Sequence, residues 1–215
     1  MSVDIFLGDS RELSTKMVLE SSVDLIYTDP PYSKKYLYLY EWLAKESARV
    51  LKPNGFLIVY AGPYWKDAVM AYLNDYLQYF YDFILVHKGN TFILWPRRVI
   101  SGYKSILCYH QQSRNPLPRT NVLGQWDGTG GDKRFHMWGQ DENTARYYID
   151  CFSKEGDLVV DYFVGGGTTA VVCKKLNRNF VGMENDKETY NIAKERIDGI
   201  SPLEHCSQEV MELNI

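Results

Sequence analysis

β-rich runs and amphipathic helical segments alternate along almost the whole chain, and this alternation leaves few architectures open. Residues 3–7, 23–28, 56–60, 81–87, 103–109, 158–161 and 179–184 read as strands. Apolar residues recur at helical spacing over 40–51, 64–77, 143–152, 168–176 and 187–197. Pro53-Asn54-Gly55 is a turn signal between the first of these helices and the strand that follows. Strands separated by helices imply an α/β fold with a mostly parallel sheet covered on both faces. The runs 81–87 and 103–109 have no strong helix between them, so they are expected to form an antiparallel pair at one edge of a seven-stranded sheet. Residues 111–140 are less regular. The expected organisation is a single domain over 1–200, with an insert at about 90–135 and a tail at 201–215.

Composition narrows the function classes. The four cysteines are Cys108, Cys151, Cys173 and Cys206, widely spaced and without a histidine cluster. That argues against a zinc site or a disulfide framework and leads to the expectation of a metal-free protein in a reducing cytoplasm. The first residues show neither a basic leader nor a long apolar run, so neither a signal peptide nor a membrane span is expected. The net charge is −3, yet residues 97–134 hold seven Lys or Arg against two acids, a local charge of +5. A basic segment on an acidic body suits a localised phosphate contact. Charge alone fits a solvated loop equally well.

In an open α/β sheet, ligands sit at the carboxyl ends of the strands. Three motifs fall there. The run Asp161 to Thr169 places Gly165, Gly166 and Gly167 between a strand and a helix. Glycine lets the backbone approach a ligand, and a helix N-terminus offers unpaired N–H groups to an anion. A plain flexible turn or a dinucleotide loop is the alternative, although the spacing fits G-x-G-x-x-G poorly. Glu184 ends the next strand, where an acid can accept hydrogen bonds from ribose hydroxyls. Elsewhere such a residue is simply solvated.

Asp29-Pro30-Pro31-Tyr32 is the sharpest of the three. Two prolines fix an extended turn and so aim one carboxylate, the neighbouring carbonyls and one ring. An exocyclic amine on a base is a poor nucleophile because its lone pair is delocalised into the ring. Acceptors for both of its N–H groups, Asp29 and the Pro30 carbonyl, would favour pyramidal nitrogen, and Tyr32 would stack on the base. Any protein can use such a sequence as a loop, so its weight comes from the company it keeps.

Asp9 after the first strand, then the Asp-Pro-Pro-Tyr motif, then a basic variable segment, then the glycine motif and Gly182-x-Glu184 form an order that resembles the β-type DNA amino-methyltransferases. These carry a circularly permuted Rossmann-like fold that binds S-adenosylmethionine, with the catalytic half first. The resemblance covers residues 4–63 and 156–197. It implies that Asp9 bonds the cofactor's adenine and Glu184 its ribose. Asp161, Phe163, Gly165 and Gly167 would hold the methionine end, with Thr168 and Thr169 opening the helix beneath. Asp29, Pro30, Pro31 and Tyr32 would form the catalytic site, acting on adenine N6 or cytosine N4, with adenine favoured by family frequency. Site-specific methylation of this kind belongs with restriction-modification.

Two departures stand out. Tyr162 occupies a position where the family usually has proline, and His136–Gln140 replaces a segment that many relatives use near the cofactor. Arg97, Arg98, Arg114, Arg119, Lys133 and Arg134 are the candidate DNA contacts, with Trp95, Trp126 and Trp138 as stacking or wedge candidates. So short a recognition segment implies a very short target, or a homodimer or partner subunit that completes the grip on DNA. A catalytically dead nucleic-acid-binding subunit of the same fold is the rival from another class.

Overall fold

In a computed structural model, residues 1–87, 92–95, 97–112, 115–128 and 141–199 are described. The first unit runs β1 (Val3–Leu7), α1 (Ser10–Met17), β2 (Val23–Thr28), a 3-10 turn (Lys34–Tyr36), α2 (Leu37–Val50), β3 (Leu51–Ala61) and α3 (Lys66–Asn74). Then come β4 (Leu77–His87), a ribbon of β5 (Phe92–Leu94) and β6 (Val99–Ser101), β7 (Tyr103–Gln111) and β8 (Gln125–Gly128). The last unit is α4 (Glu142–Phe152), β9 (Leu158–Asp161), α5 (Thr168–Lys175), β10 (Asn179–Glu184) and α6 (Lys187–Asp198).

Period-two alternation sets the layers. Leu25 and Tyr27 of β2 point to one face with Phe56, Ile58, Tyr60, Ile106 and Cys108, where α4, α5 and α6 pack. Ile26 points to the other with Leu57, Val59, Leu107 and Tyr109, against α1, α2 and α3. Side chains on both faces are almost fully buried, which is why the strands read as continuous apolar runs. Aspartates start three helices. Asp9 accepts from the Arg11 amide, Asp141 from the Asn143 and Thr144 amides, and Asp186 from the Thr189 amide.

The main sheet has the order β1-β10-β9-β2-β3-β7-β4-β8. From β1 to β3 all neighbours are parallel, and β7 is antiparallel to both β3 and β4. The expected α/β class and antiparallel pairing are present, but among the described residues the sheet has eight strands rather than seven. The antiparallel pair does not form the edge, because β8 adds in parallel outside β4. Four residues without strong alternation gave β8 no sequence signal; its place comes from the open edge of β4. Helix α1 was also not expected, although Asp9 and Glu12 have the Asp-x-x-Glu spacing of a capping box. Among the described residues, no helix is long and apolar enough to cross a membrane. The tail 201–215 lies outside the described residues.

Candidate active site

Parallel strands β1, β10, β9 and β2 are consecutive neighbours, so the loops after them open side by side at one end of the sheet. All three motifs and Asp9 stand in those loops. The junction between β9 and β2 is closed by one hydrogen bond, from the Thr28 hydroxyl to Asp161 at 2.7 Å. It holds the start of the Asp-Pro-Pro-Tyr loop against the start of the glycine loop.

Asp161 is the hub. Its carboxylate is buried and also accepts from the Phe163 amide at 3.0 Å and the Thr169 hydroxyl at 2.7 Å. Burial pushes its pKa up to about 6, against the lowering effect of these donors. With three internal donors and almost no exposed surface, Asp161 shapes the loop that carries Phe163 and Gly165. Past it, Gly165 and Gly167 adopt left-handed backbone with φ of +52° and +81°. A Cβ at Gly167 would stand 3.2 Å from the Ala193 Cα and Cβ, so glycine there also admits α6. A Cβ at Gly165 would find only the Phe163 carbonyl, 4.0 Å away. Arg196 of α6 ties the loop down by donating to the Gly166 carbonyl at 2.9 Å and the Thr168 hydroxyl at 3.1 Å.

Glu184 faces the same space. One of its oxygens accepts from the Gly165 amide at 2.9 Å and the other from the Asp186 amide at 3.0 Å. Asp9 lies beyond it, since the Gly8 amide donates to the Glu184 carbonyl at 2.8 Å. Hydrogen bonds from the Arg11 side chain and amide hold Asp9 below the usual carboxylate range. Arg11 in turn lies 5.4 Å from the Tyr38 ring centre.

On the other side of the junction, the Tyr32 hydroxyl donates to Asp29. Burial, and then the Asp29 charge, push that hydroxyl well above its ordinary range, so it stays protonated. Tyr40 of α2 donates to the Pro30 carbonyl and the Tyr60 carbonyl, both at 3.2 Å. Gly62, just past β3, has no room for a side chain, because a Cβ there would come within 2.7 Å of the Tyr32 Cβ. The loop is thus held from behind by a tyrosine hydroxyl and from the side by bare backbone.

A family model for DNA methylases, covering N6 and N4 amino-methyltransferases, matches residues 23–195. The chain belongs to this family. The Type II methyltransferase M2.DpnII of Streptococcus pneumoniae is 50% identical over 89% of this chain and 88% of its own length. Among solved structures, the M1.HpyAVI–SAM complex aligns with a TM-score of 0.74 at 24% identity, covering 91% of this chain and 98% of that one. The cytosine-N4-specific PvuII DNA methyltransferase aligns at 0.78 with 19% identity, over 94% and 89%. These likenesses confirm the Rossmann-like methyltransferase fold expected from the motif order.

Tyr162, where the sequence departs from the resembled pattern, is well accommodated. Its ring is fully buried 5.1 Å from that of Trp42, and its hydroxyl lies 3.2 Å from the Ser14 hydroxyl. Ser14 contacts Glu46, which pairs with Arg49. The buried hydroxyl thus joins a polar chain between α1 and α2.

The basic set divides. Arg97 reaches the site end of the molecule, with its guanidinium 4.4 Å from the Tyr64 ring centre, and Arg98 beside it is exposed. Arg119 goes to the opposite end. It donates to the Asp150 and Ser153 carbonyls at 3.1 and 3.0 Å, closing the C-terminus of α4 beneath the amino ends of the strands. These bonds commit part of the Arg119 guanidinium to α4, and they lend no support to the expected DNA contact there. Trp126 stacks on Tyr147 at 4.3 Å and completes the core, while Trp95 is 66% exposed. Arg114, Lys133, Arg134, Trp138 and His136–Gln140 lie outside the described residues. Sequence reasoning passed over Gly62 and Tyr40, and counted Lys104 in the basic segment without making it a candidate contact. Gly62-Pro63 follows a strand and could have been found by the strand-end rule; Tyr40 carries no local signal.

Proposed function

We propose that this DNA amino-methyltransferase transfers a methyl group from S-adenosylmethionine to the N6 amine of adenine in DNA. The observation that carries the reading is the Thr28–Asp161 hydrogen bond, which sets an amine-binding loop and a cofactor loop on adjacent strand ends. The open space a Cβ at Gly165 would occupy, beside the Phe163 carbonyl and the Glu184 carboxylate, supports a cofactor approaching the backbone there. Gly165 and Gly167 with the start of α5 would receive its methionine end, Glu184 its ribose and Asp9 its adenine. Asp161, Thr168 and Thr169 hold that loop in shape. When bound, the cofactor supplies an electrophilic methyl on a sulfonium.

The protein's own part is orientation. Asp29 and the Pro30 carbonyl accept from the two N–H groups of the target amine, which localises the nitrogen lone pair toward the methyl group. Pro30 and Pro31 keep those acceptors from relaxing away, and Tyr32 stacks on the base. The cofactor would supply the methyl for the new C–N bond, its sulfur keeping the electron pair of the C–S bond. The charge that develops on nitrogen is stabilised by Asp29, and the surplus proton leaves to Asp29 or water. Burial raises the thiols of Cys108, Cys151 and Cys173, so none of these is a poised thiolate. That supports direct transfer without a cysteine adduct; Cys206 lies outside the described residues.

Arg97 and Arg98 are the phosphate contacts retained in this proposal. A second copy or partner subunit would extend the grip on DNA, and the role is restriction-linked modification. The test is transfer from labelled S-adenosylmethionine to unmethylated duplex DNA, single-stranded DNA and RNA, with mass spectrometry of the nucleosides. N6-methyladenine in DNA is expected. N4-methylcytosine would replace the base but keep the mechanism, and transfer to RNA alone would overturn the substrate.

A further inference from the structure

Several cations among the described residues face carboxylates: Arg11, Lys45, Arg49, Lys52, Lys66, Lys175 and Arg178 are all in ion pairs. Around Tyr32 the pattern changes. The Lys34 ammonium lies 5.7 Å from the Trp65 ring centre and the Lys35 ammonium 4.7 Å from that of Tyr36. Arg97 covers Tyr64, which packs edge-on against Trp65 at 4.9 Å. Lys104, at the start of β7, sits 5.4 Å from the Tyr32 ring centre and 5.9 Å from that of Tyr60. None of these four cations has a carboxylate within ion-pairing distance among the described residues.

Besides Lys104 of β7, the rings and charges come from three separate stretches of chain that meet at one rim. The 3-10 turn directly follows Tyr32, the β3–α3 loop presses Gly62 against Tyr32, and the β5–β6 ribbon brings Arg97 over. Lys34, Lys35 and Arg97 are exposed, and Tyr64 and Trp65 are half-buried. A cation resting on a ring keeps its full positive field, while a carboxylate partner would cancel it. A strip that alternates uncancelled cations with accessible ring faces matches a nucleic-acid strand, which presents phosphates and base faces in alternation.

We propose that Lys34, Lys35, Tyr64, Trp65 and Arg97 form the track for the nucleotides flanking the target base, and that Lys104 contacts the phosphate of the target nucleotide itself. This rests on the reading of the site as one that acts on a DNA base. The track lies mostly outside the basic segment 97–134, in turns where two lysines among aromatic residues draw no attention on charge count.

The experiment pairs binding with turnover on one oligonucleotide. Wild-type protein is first shown to methylate it. The Lys34→Gln/Lys35→Gln double variant is then titrated with the same DNA by fluorescence anisotropy across a salt series. Loss of two phosphate contacts should flatten the log–log salt slope by about 1.8 on duplex or about 1.4 on a single strand. Trp65→Phe should lose most of the DNA-induced quenching of tryptophan fluorescence. Lys104→Gln should raise KM for DNA more than it lowers kcat. Affinity for S-adenosylmethionine and the melting midpoint should stay at wild-type values in all three. An unchanged slope, quenching and KM with methylation intact would overturn the track and leave the proposed reaction standing. Failure of wild-type protein to methylate any DNA would remove the reaction on which the track depends.

Discussion

The loops after β9 and β2 are neighbours at the same end of the sheet, yet they are held by opposite means. The β9 loop is built from its own backbone. Two glycines in left-handed conformation turn it, a buried carboxylate gathers an amide and two hydroxyls, and Arg196 clamps the Gly166 carbonyl and the Thr168 hydroxyl. The β2 loop has no glycine and no buried charge. Prolines stiffen it, and tyrosine hydroxyls from α2 and from the loop itself fix its acceptors. On the proposed reading, the loop that receives the cofactor is served by a closed internal network, and the loop that takes in a base keeps its polar groups nearer the surface, beside the proposed aromatic and cationic track.

If that contrast is right, substitutions should separate the two loops cleanly. Asp29→Ala gives the largest effect: methyl transfer should fall by about 10³-fold or more while calorimetry finds cofactor binding retained. Loss of cofactor binding would show that the two loops are not functionally distinct. Gly62→Ala should push Tyr32 aside and cost roughly 10²-fold in kcat, again with cofactor affinity kept. A normal kcat would mean that Tyr32 has freedom the packing denies it.

Asp161→Asn probes the other side. A raised native pKa means that between about pH 4 and 6 the unfolded chain ionises this group while the folded protein holds it neutral. Stability contributed below pH 4 is therefore lost as pH rises through 6, on the order of 2–3 kcal/mol. Urea titrations over that range should show the asparagine variant gaining on wild type by this amount, and parallel profiles would exclude the buried charge. The smallest effect separates two arginines of one basic segment. Arg119→Ala should cost about 1 kcal/mol of stability and leave the salt dependence of DNA binding alone. Arg97→Gln should reduce that salt slope by about 0.9 on duplex and leave stability alone.

Much of the fold was legible because its signals are local. Apolar runs of four to six residues between helical segments gave the parallel strands, and Gly-Gly-Gly-Thr-Thr after one strand and Asp-Pro-Pro-Tyr after another gave the loops. Strand β8 and the place of the antiparallel pair were not, since a four-residue edge strand is chosen by whichever backbone is left open. Arg97 and Arg119 look alike in the sequence, 22 positions apart in one basic stretch, and end at opposite ends of the sheet.

By itself, then, the sequence determined which residue types stand at the ends of strands, because backbone preference and period-two patterning act over a few residues. Only the tertiary structure decided which of those ends are neighbours, that Asp161 is a buried hub and Asp29 only part-buried, and that Gly62, Tyr40 and Lys104 converge on one loop. Burial, close approach and charge pairing join residues distant in the chain, and they take values only once the sheet order is set.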